Sequence, residues 1–105
     1  MIIVCYNVHS VKLEIYQDQL GRQPFVEWLY ALKDLKTKAR IESRVRRLSL
    51  SNWGDYRLVG EGVIELRLDF GPGYRVYCSR TGRTVVLLLL GGDKRTQRRD
   101  IETAK

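Results

Sequence analysis

A chain of 105 residues is sized for one hydrophobic core and one site. Its 44% hydrophobic and 30% charged residues match an ordinary soluble domain and exclude both a disordered polyelectrolyte and a membrane-embedded chain. Nineteen Lys and Arg (19) against 12 Asp and Glu leave a charge of +7, which points to a polyanion or an acidic protein as partner without choosing between them.

The opening run Met1–Tyr6 is too short for a membrane span and lacks the positive region of a signal peptide, so a cytoplasmic protein is expected. Residues 1–10 read as a loose arm or an extra edge strand. Cys5 and Cys78 lie far apart and His9 is the only histidine, so neither a zinc site nor a Cys–His pair is supported. Two free thiols are expected, with Cys78 buried, and no metal.

From Val11 to Tyr16, apolar Val11, Leu13 and Ile15 alternate with Lys12, Glu14 and Tyr16, the period of a strand with one buried face. Pro24 then suits a first helical turn, and Phe25, Trp28, Leu29, Leu32 and Leu35 fall on one helical stripe. A second helix is expected over about Thr37 to Leu48, with Ile41, Val45 and Leu48 inward. Lys36, Arg40, Arg44 and Arg47 form a basic stripe on its outside. Turn formers at 51–55 end this helical hairpin, and after Gly60 and Gly62 three strands are expected.

In the first of the three, Ile64, Leu66, Leu68 and Phe70 share a face opposite Glu65, Arg67 and Asp69. In the second, Tyr74, Val76 and Cys78 oppose Arg75, Tyr77 and Ser79. A three-residue loop Gly71-Pro72-Gly73 between them predicts Asp69 opposite Arg75, Arg67 opposite Tyr77 and Glu65 opposite Ser79. That register gathers acids, cations and a phenol on one sheet face. The segment from Thr84 to Leu90 is apolar on both faces, so it reads as a central strand covered on both sides. After Gly91-Gly92 a basic run from Asp93 to Arg99 leads into a short helical tail ending at Ala104.

Three blocks carry a resemblance: Phe25-Val26-Glu27-Trp28-Leu29; Gly60 to Arg67 continuing through Gly71-Pro72-Gly73-Tyr74-Arg75-Val76-Tyr77; and Leu88 to Gln97 with its Gly91-Gly92-Asp93-Lys94. From about Val11 onward the chain resembles the RelE/ParE superfamily of bacterial toxins, in particular the small HigB-like group of addiction module killer proteins. The resemblance implies a single α+β domain: strand, helical hairpin, then three antiparallel strands forming a curved sheet, with a short helical tail. It also implies a metal-independent endoribonuclease that cuts messenger RNA on the ribosome and so inhibits translation; the sequence holds no P-loop, nucleotide fingerprint or metal cluster, so no cofactor is expected. The implied partner is an adjacently encoded antitoxin with a helix-turn-helix.

Carried over position by position, Arg75, Arg67 and Lys94 take the catalytic places, with Arg95 the alternative for the late basic one. Family RNases position the ribose 2′-hydroxyl for attack on its own 3′-phosphate, so fixed cations that meet the growing negative charge are the main resource. For Arg75 the competing reading is a cross-strand ion pair with Asp69; for Arg67 and Lys94 it is a solvated surface charge. Glu65 and Asp69 are the candidate bases. Tyr77 is a platform for a splayed base or a packed core residue, and Arg95 and Gln97 are candidate RNA contacts. The helix stripe of Arg40, Arg44 and Arg47 is either a solvated face or an RNA-docking one. A gyrase-poisoning ParE-like toxin and a non-enzymatic basic binding module are the alternative functions.

Overall fold

The computed structural model describes residues 12–82 and 85–105. The expectations placed on Val11 and the residues before it, Cys5 and His9 among them, lie outside that range, as do Arg83 and Thr84. Within it the chain is mixed α and β, with an open five-stranded sheet and three α-helices.

Strand β1 (Lys12–Ile15) leads to helix α1 (Pro24–Ala31), whose first turn accepts Pro24 because that position needs no N–H. The helix stops at Ala31: Leu32 turns to extended backbone, and the Asp34 carboxylate takes the Lys36 N–H (3.2 Å) and the Thr37 hydroxyl (2.8 Å), starting a new helix. Leu35, expected on the stripe of the first helix, therefore opens α2 (Leu35–Arg46) and is 77% exposed. The last turn tightens into a 3-10 segment, Arg47–Leu50.

Four strands follow where three were expected: β2 (Tyr56–Gly60), β3 (Val63–Leu68), β4 (Tyr74–Thr81) and β5 (Val85–Asp93). The unforeseen β2 is an edge strand exposed along nearly its whole length, so no apolar alternation marks it in the sequence. A 3-10 turn, Lys94–Thr96, and helix α3 (Gln97–Ala104) complete the chain, the latter ending where the tail was expected to end. The sheet order is β1-β5-β4-β3-β2, antiparallel except that β1 runs parallel to β5.

The β3–β4 register differs from the expected one. Arg67 faces Arg75, Glu65 faces Tyr77 and Val63 faces Ser79, a shift of two residues. The cause is the loop: β3 ends at Leu68, so Asp69 and Phe70 join Gly71-Pro72-Gly73 in the connection. Phe70, expected in the strand's buried row, is instead half-buried in this loop against Tyr74, with ring centroids 5.4 Å apart. A two-residue shift preserves the faces while changing the partners. Leu66, Leu68, Val76 and Leu88 accordingly meet Phe25, Leu29, Ile41, Val45 and Leu48 in the core beneath α1 and α2, each fully buried side chain stabilising by about 1.5–3 kcal/mol.

Strand β5 does not stop before Gly91-Gly92 but runs through both. The two glycines serve opposite faces. A β-carbon on Gly91 would run into the Trp28 indole of α1, and one on Gly92 into the Asp100 carboxylate of α3. Both sides of β5 are thus covered, as its doubly apolar sequence required.

Candidate functional site

Alternation along β3 and β4 sends Glu65, Arg67, Arg75 and Tyr77 to the sheet face opposite α1 and α2, and β2 adds Arg57 across from Glu65. Four donors converge on the fully buried Glu65 carboxylate: Gln97 Nε2 at 2.7 Å, the Tyr77 hydroxyl at 3.0 Å, Arg67 Nε at 3.3 Å and Arg57 Nε at 3.4 Å. Burial by itself pushes this carboxyl up, but the hydrogen bonds from Gln97, Tyr77 and Arg67 and the charge of Arg57 outweigh it and hold it below the usual 4.5. Glu65 is therefore an ionised anchor for its neighbours, with its lone pairs occupied, which is not the state of a proton acceptor awaiting substrate.

Tyr77, a candidate RNA platform, is wholly buried and presents no ring face to a nucleic acid. Burial first, then the adjacent Glu65 charge and hydrogen bond, raise its phenol well above the ordinary range, so it stays protonated. Gln97 is likewise committed to Glu65. Asp69, the other candidate base, is exposed in the β3–β4 loop, outside this cluster.

Arg75 lies directly across from Arg67 and is only 8% exposed. Its Nη1 donates to the Tyr74 carbonyl at 3.0 Å, while its Nε, like that of Arg44, has no partner among the described residues. No ion pair joins it to Asp69 among the described residues, so that competing reading has no contact behind it. Gly73, at φ +80°, leaves the room in which the Arg75 guanidinium and the stem of Lys94 come together: a β-carbon there would sit 3.6 Å from Arg75 Nη1 and 3.3 Å from Lys94 Cβ. The Lys94–Thr96 turn is fixed by Asp93, whose carboxylate accepts from Arg95 N (2.8 Å) and Thr96 N (3.2 Å). Thr96 in turn donates its hydroxyl to Asp100 at 2.5 Å. The structure thus brings Arg67, Arg75 and Lys94 to one region, with Lys94 and Arg95 exposed.

The helix stripe divides. Arg40 and Arg47 are exposed, whereas the Arg44 guanidinium turns inward and donates to the carbonyls of Arg67 (2.6 Å), Trp53 (2.9 Å) and Asp55 (2.6 Å). Burial lowers its pKa, and the neighbouring charge of Arg47 does likewise, against the opposing effect of Asp55. Arg44, expected as an RNA contact, is instead the strut that ties α2 to β3 and to the turn before β2. Sequence reasoning also missed Arg57, because the strand that carries it gave no period-two signal.

No group of acidic, histidine or cysteine side chains suited to holding a metal occurs among the described residues, and no helix there is long and apolar enough to cross a membrane. No family model matches the chain, and no solved structure matches it. An uncharacterized protein of Haemophilus influenzae is 49% identical over 81 residues, which cover 77% of this chain and 82% of the relative. On that likeness, the chain belongs to the same family as the Haemophilus protein.

Proposed function

We propose that the chain is a RelE/HigB-like toxin, an endoribonuclease that cuts messenger RNA and is restrained by a cognate antitoxin. The observation that carries the reading is Arg75: a buried guanidinium with an unpartnered Nε, facing a second arginine across the strand pair, with the Lys94 stem alongside. Like charges directly opposed in a sheet repel. Among the described residues the Glu65 carboxylate is ion-paired with Arg67 and Arg57 and no acid is ion-paired with Arg75, so a phosphate that binds beside Arg75 meets a positive charge without an ion-pair partner there.

In the reaction, the 2′-oxygen bonds to phosphorus as the bond to the 5′-oxygen breaks, leaving a cyclic phosphate and a 5′-hydroxyl. The 2′-hydroxyl gives up its proton and the departing oxygen acquires one. Arg75 and Arg67 stabilise the extra charge on the phosphoryl oxygens, and Lys94 or Arg95 supports the leaving oxygen. Thr96 and Asp100 cover Gly92, the strand partner of Arg75. RNA therefore meets Arg67, Lys94 and Arg95 first, with Arg75 held behind them.

The test is brief expression in a bacterial host. Growth arrest with messenger cut at defined positions and DNA supercoiling unchanged is the expected result. Arrest with altered supercoiling and intact messenger selects the gyrase-directed alternative. Arg75→Ala should retain the parent's melting temperature while losing roughly 10²- to 10³-fold in cleavage rate, as for other deleted electrostatic donors. A variant that cuts as fast as the parent removes Arg75 from the chemistry.

A further inference from the structure

A groove along the outside of α2 uses none of the sheet-face residues. Its larger part is a cavity of about 420 Å³ between α2 and the end of β3, lined by Arg40, Ser43, Arg44, Arg47, Asp69 and Phe70 among others. A second cavity of about 380 Å³ adjoins it, shares Ser43 and Arg47, and adds Arg46 and Ser49. Three positive charges against the one of Asp69 leave the larger cavity cationic, and neither Arg40 nor Arg47 is ion-paired among the described residues.

The two outer arginines differ in how they are held. The Arg40 guanidinium lies 3.7 Å from the centre of the Phe70 ring. The contact holds the guanidinium against the Phe70 ring, and the Arg40 side chain is otherwise exposed to solvent. Such an arginine can fork onto a phosphate with its edge and carry a base on its face. Arg47 lies two helical turns further on, about 10 Å along the axis. One small anion cannot span that distance, whereas a polymer with a charge on each unit can. Arg44, already bound to three carbonyls, adds positive charge from behind without touching the ligand.

We infer that this groove binds a single-stranded polynucleotide, with backbone phosphates on Arg40 and Arg47 and a base laid on the Arg40–Phe70 stack. The inference shares its ligand class with the proposed function but none of its catalytic residues. An acidic peptide would use the charge and leave the stacked plane idle.

The probe is a short, fluorescently labelled 2′-O-methyl oligoribonucleotide, which cannot be cut by attack of its own 2′-oxygen. Anisotropy titrations across a salt series compare the parent with Arg40→Ala, Arg47→Ala and Arg40→Lys, after equal melting temperatures confirm intact folds. Each alanine variant should bind more weakly and flatten the dependence of log affinity on log salt by about 0.7 per lost phosphate contact. Arg40→Lys keeps the charge but loses the flat stack, so affinity should fall about five-fold or more with the salt slope retained. Unchanged affinity and slope in both alanine variants overturns the inference. So does displacement of the probe by poly-glutamate as readily as by unlabelled oligonucleotide. Because the probe is inert, a protein that binds it through Arg40 and Arg47 but never cleaves messenger sinks the nuclease reading and leaves this one standing.

Discussion

Glu65 is the most exacting position in the molecule, and replacing it separates an ionised anchor from a neutral buried acid. In Glu65→Ala the Tyr77 hydroxyl and the Gln97 amide lose their shared acceptor. The buried phenol and the half-buried amide each cost about 1–3 kcal/mol when left unmet. Arg57 and Arg67, with side chains 48% and 35% exposed, recover water and add less than about 1 kcal/mol apiece. The sum, about 2–8 kcal/mol, lowers the melting temperature by roughly 10–35 °C for a chain of this size. Glu65→Gln keeps the shape and one acceptor oxygen, so about 1–3 kcal/mol is expected. The sign with pH follows from a carboxyl held below its usual 4.5. Its stabilisation is complete above that value and fades as the pH falls through the lower folded pKa. Urea unfolding of parent and Glu65→Gln between neutral pH and pH 3 should therefore show curves that differ at neutrality and converge on acidification. A gap that stays constant over the whole range would mean that Glu65 is not ionised in the fold, and the anchor argument would fail.

Arg44→Ala should destabilise by about 1–3 kcal/mol, because three carbonyls lose one donor, and Arg44→Lys should rescue little since an ammonium cannot span them; both are read from urea midpoints. Gly91→Ala and Gly92→Ala should each cost about 1–3 kcal/mol or more through overpacking, but only Gly91→Ala should shift tryptophan fluorescence, because only Gly91 lies against Trp28. A shift of equal size in both would contradict the assignment of the two glycines to opposite faces. Cys78, buried and free, has its thiol pushed up to about 12 by desolvation, so it should resist a thiol reagent in the native state and react at once in denaturant.

Periodicity made the core legible. Ile64, Leu66 and Leu68 in β3, and Val76 and Cys78 in β4, lie on the face their alternation assigned, since side-chain direction in a strand is a local property. Register is not local. It depends on where β3 lets go, and Phe70 left the strand to stack under Arg40, which no alternation rule records. The limits of α1 escaped for a similar reason: Leu35 fits the apolar spacing, but the Asp34 cap restarts the helix before it. At the candidate site the face of Glu65, Arg67, Arg75 and Tyr77 was readable, whereas the roles within it were not. Those depend on Gln97 arriving from more than thirty residues away and on the edge strand that brings Arg57. The basic stripe was visible as charge, but which of its members turned inward was decided by the carbonyls of Trp53, Asp55 and Arg67.

The parallel pairing of β1 with β5 also sets an order of assembly. Lys12 is matched to Val85 and Ile15 to Leu88, so the edge strand must wait for β5, the last described strand in sequence, before it has a neighbour. During synthesis the helical hairpin and the β2–β3–β4 meander can associate from close-range contacts, but the leucine-rich strand that receives β1 emerges late. Closing so long a loop is entropically slow. Until β5 is seated between β4 and β1, its apolar flank and the unpaired backbone of β4 remain open to other chains. The interval before docking of that last strand pair is thus when the folding chain is most exposed to aggregation and proteolysis.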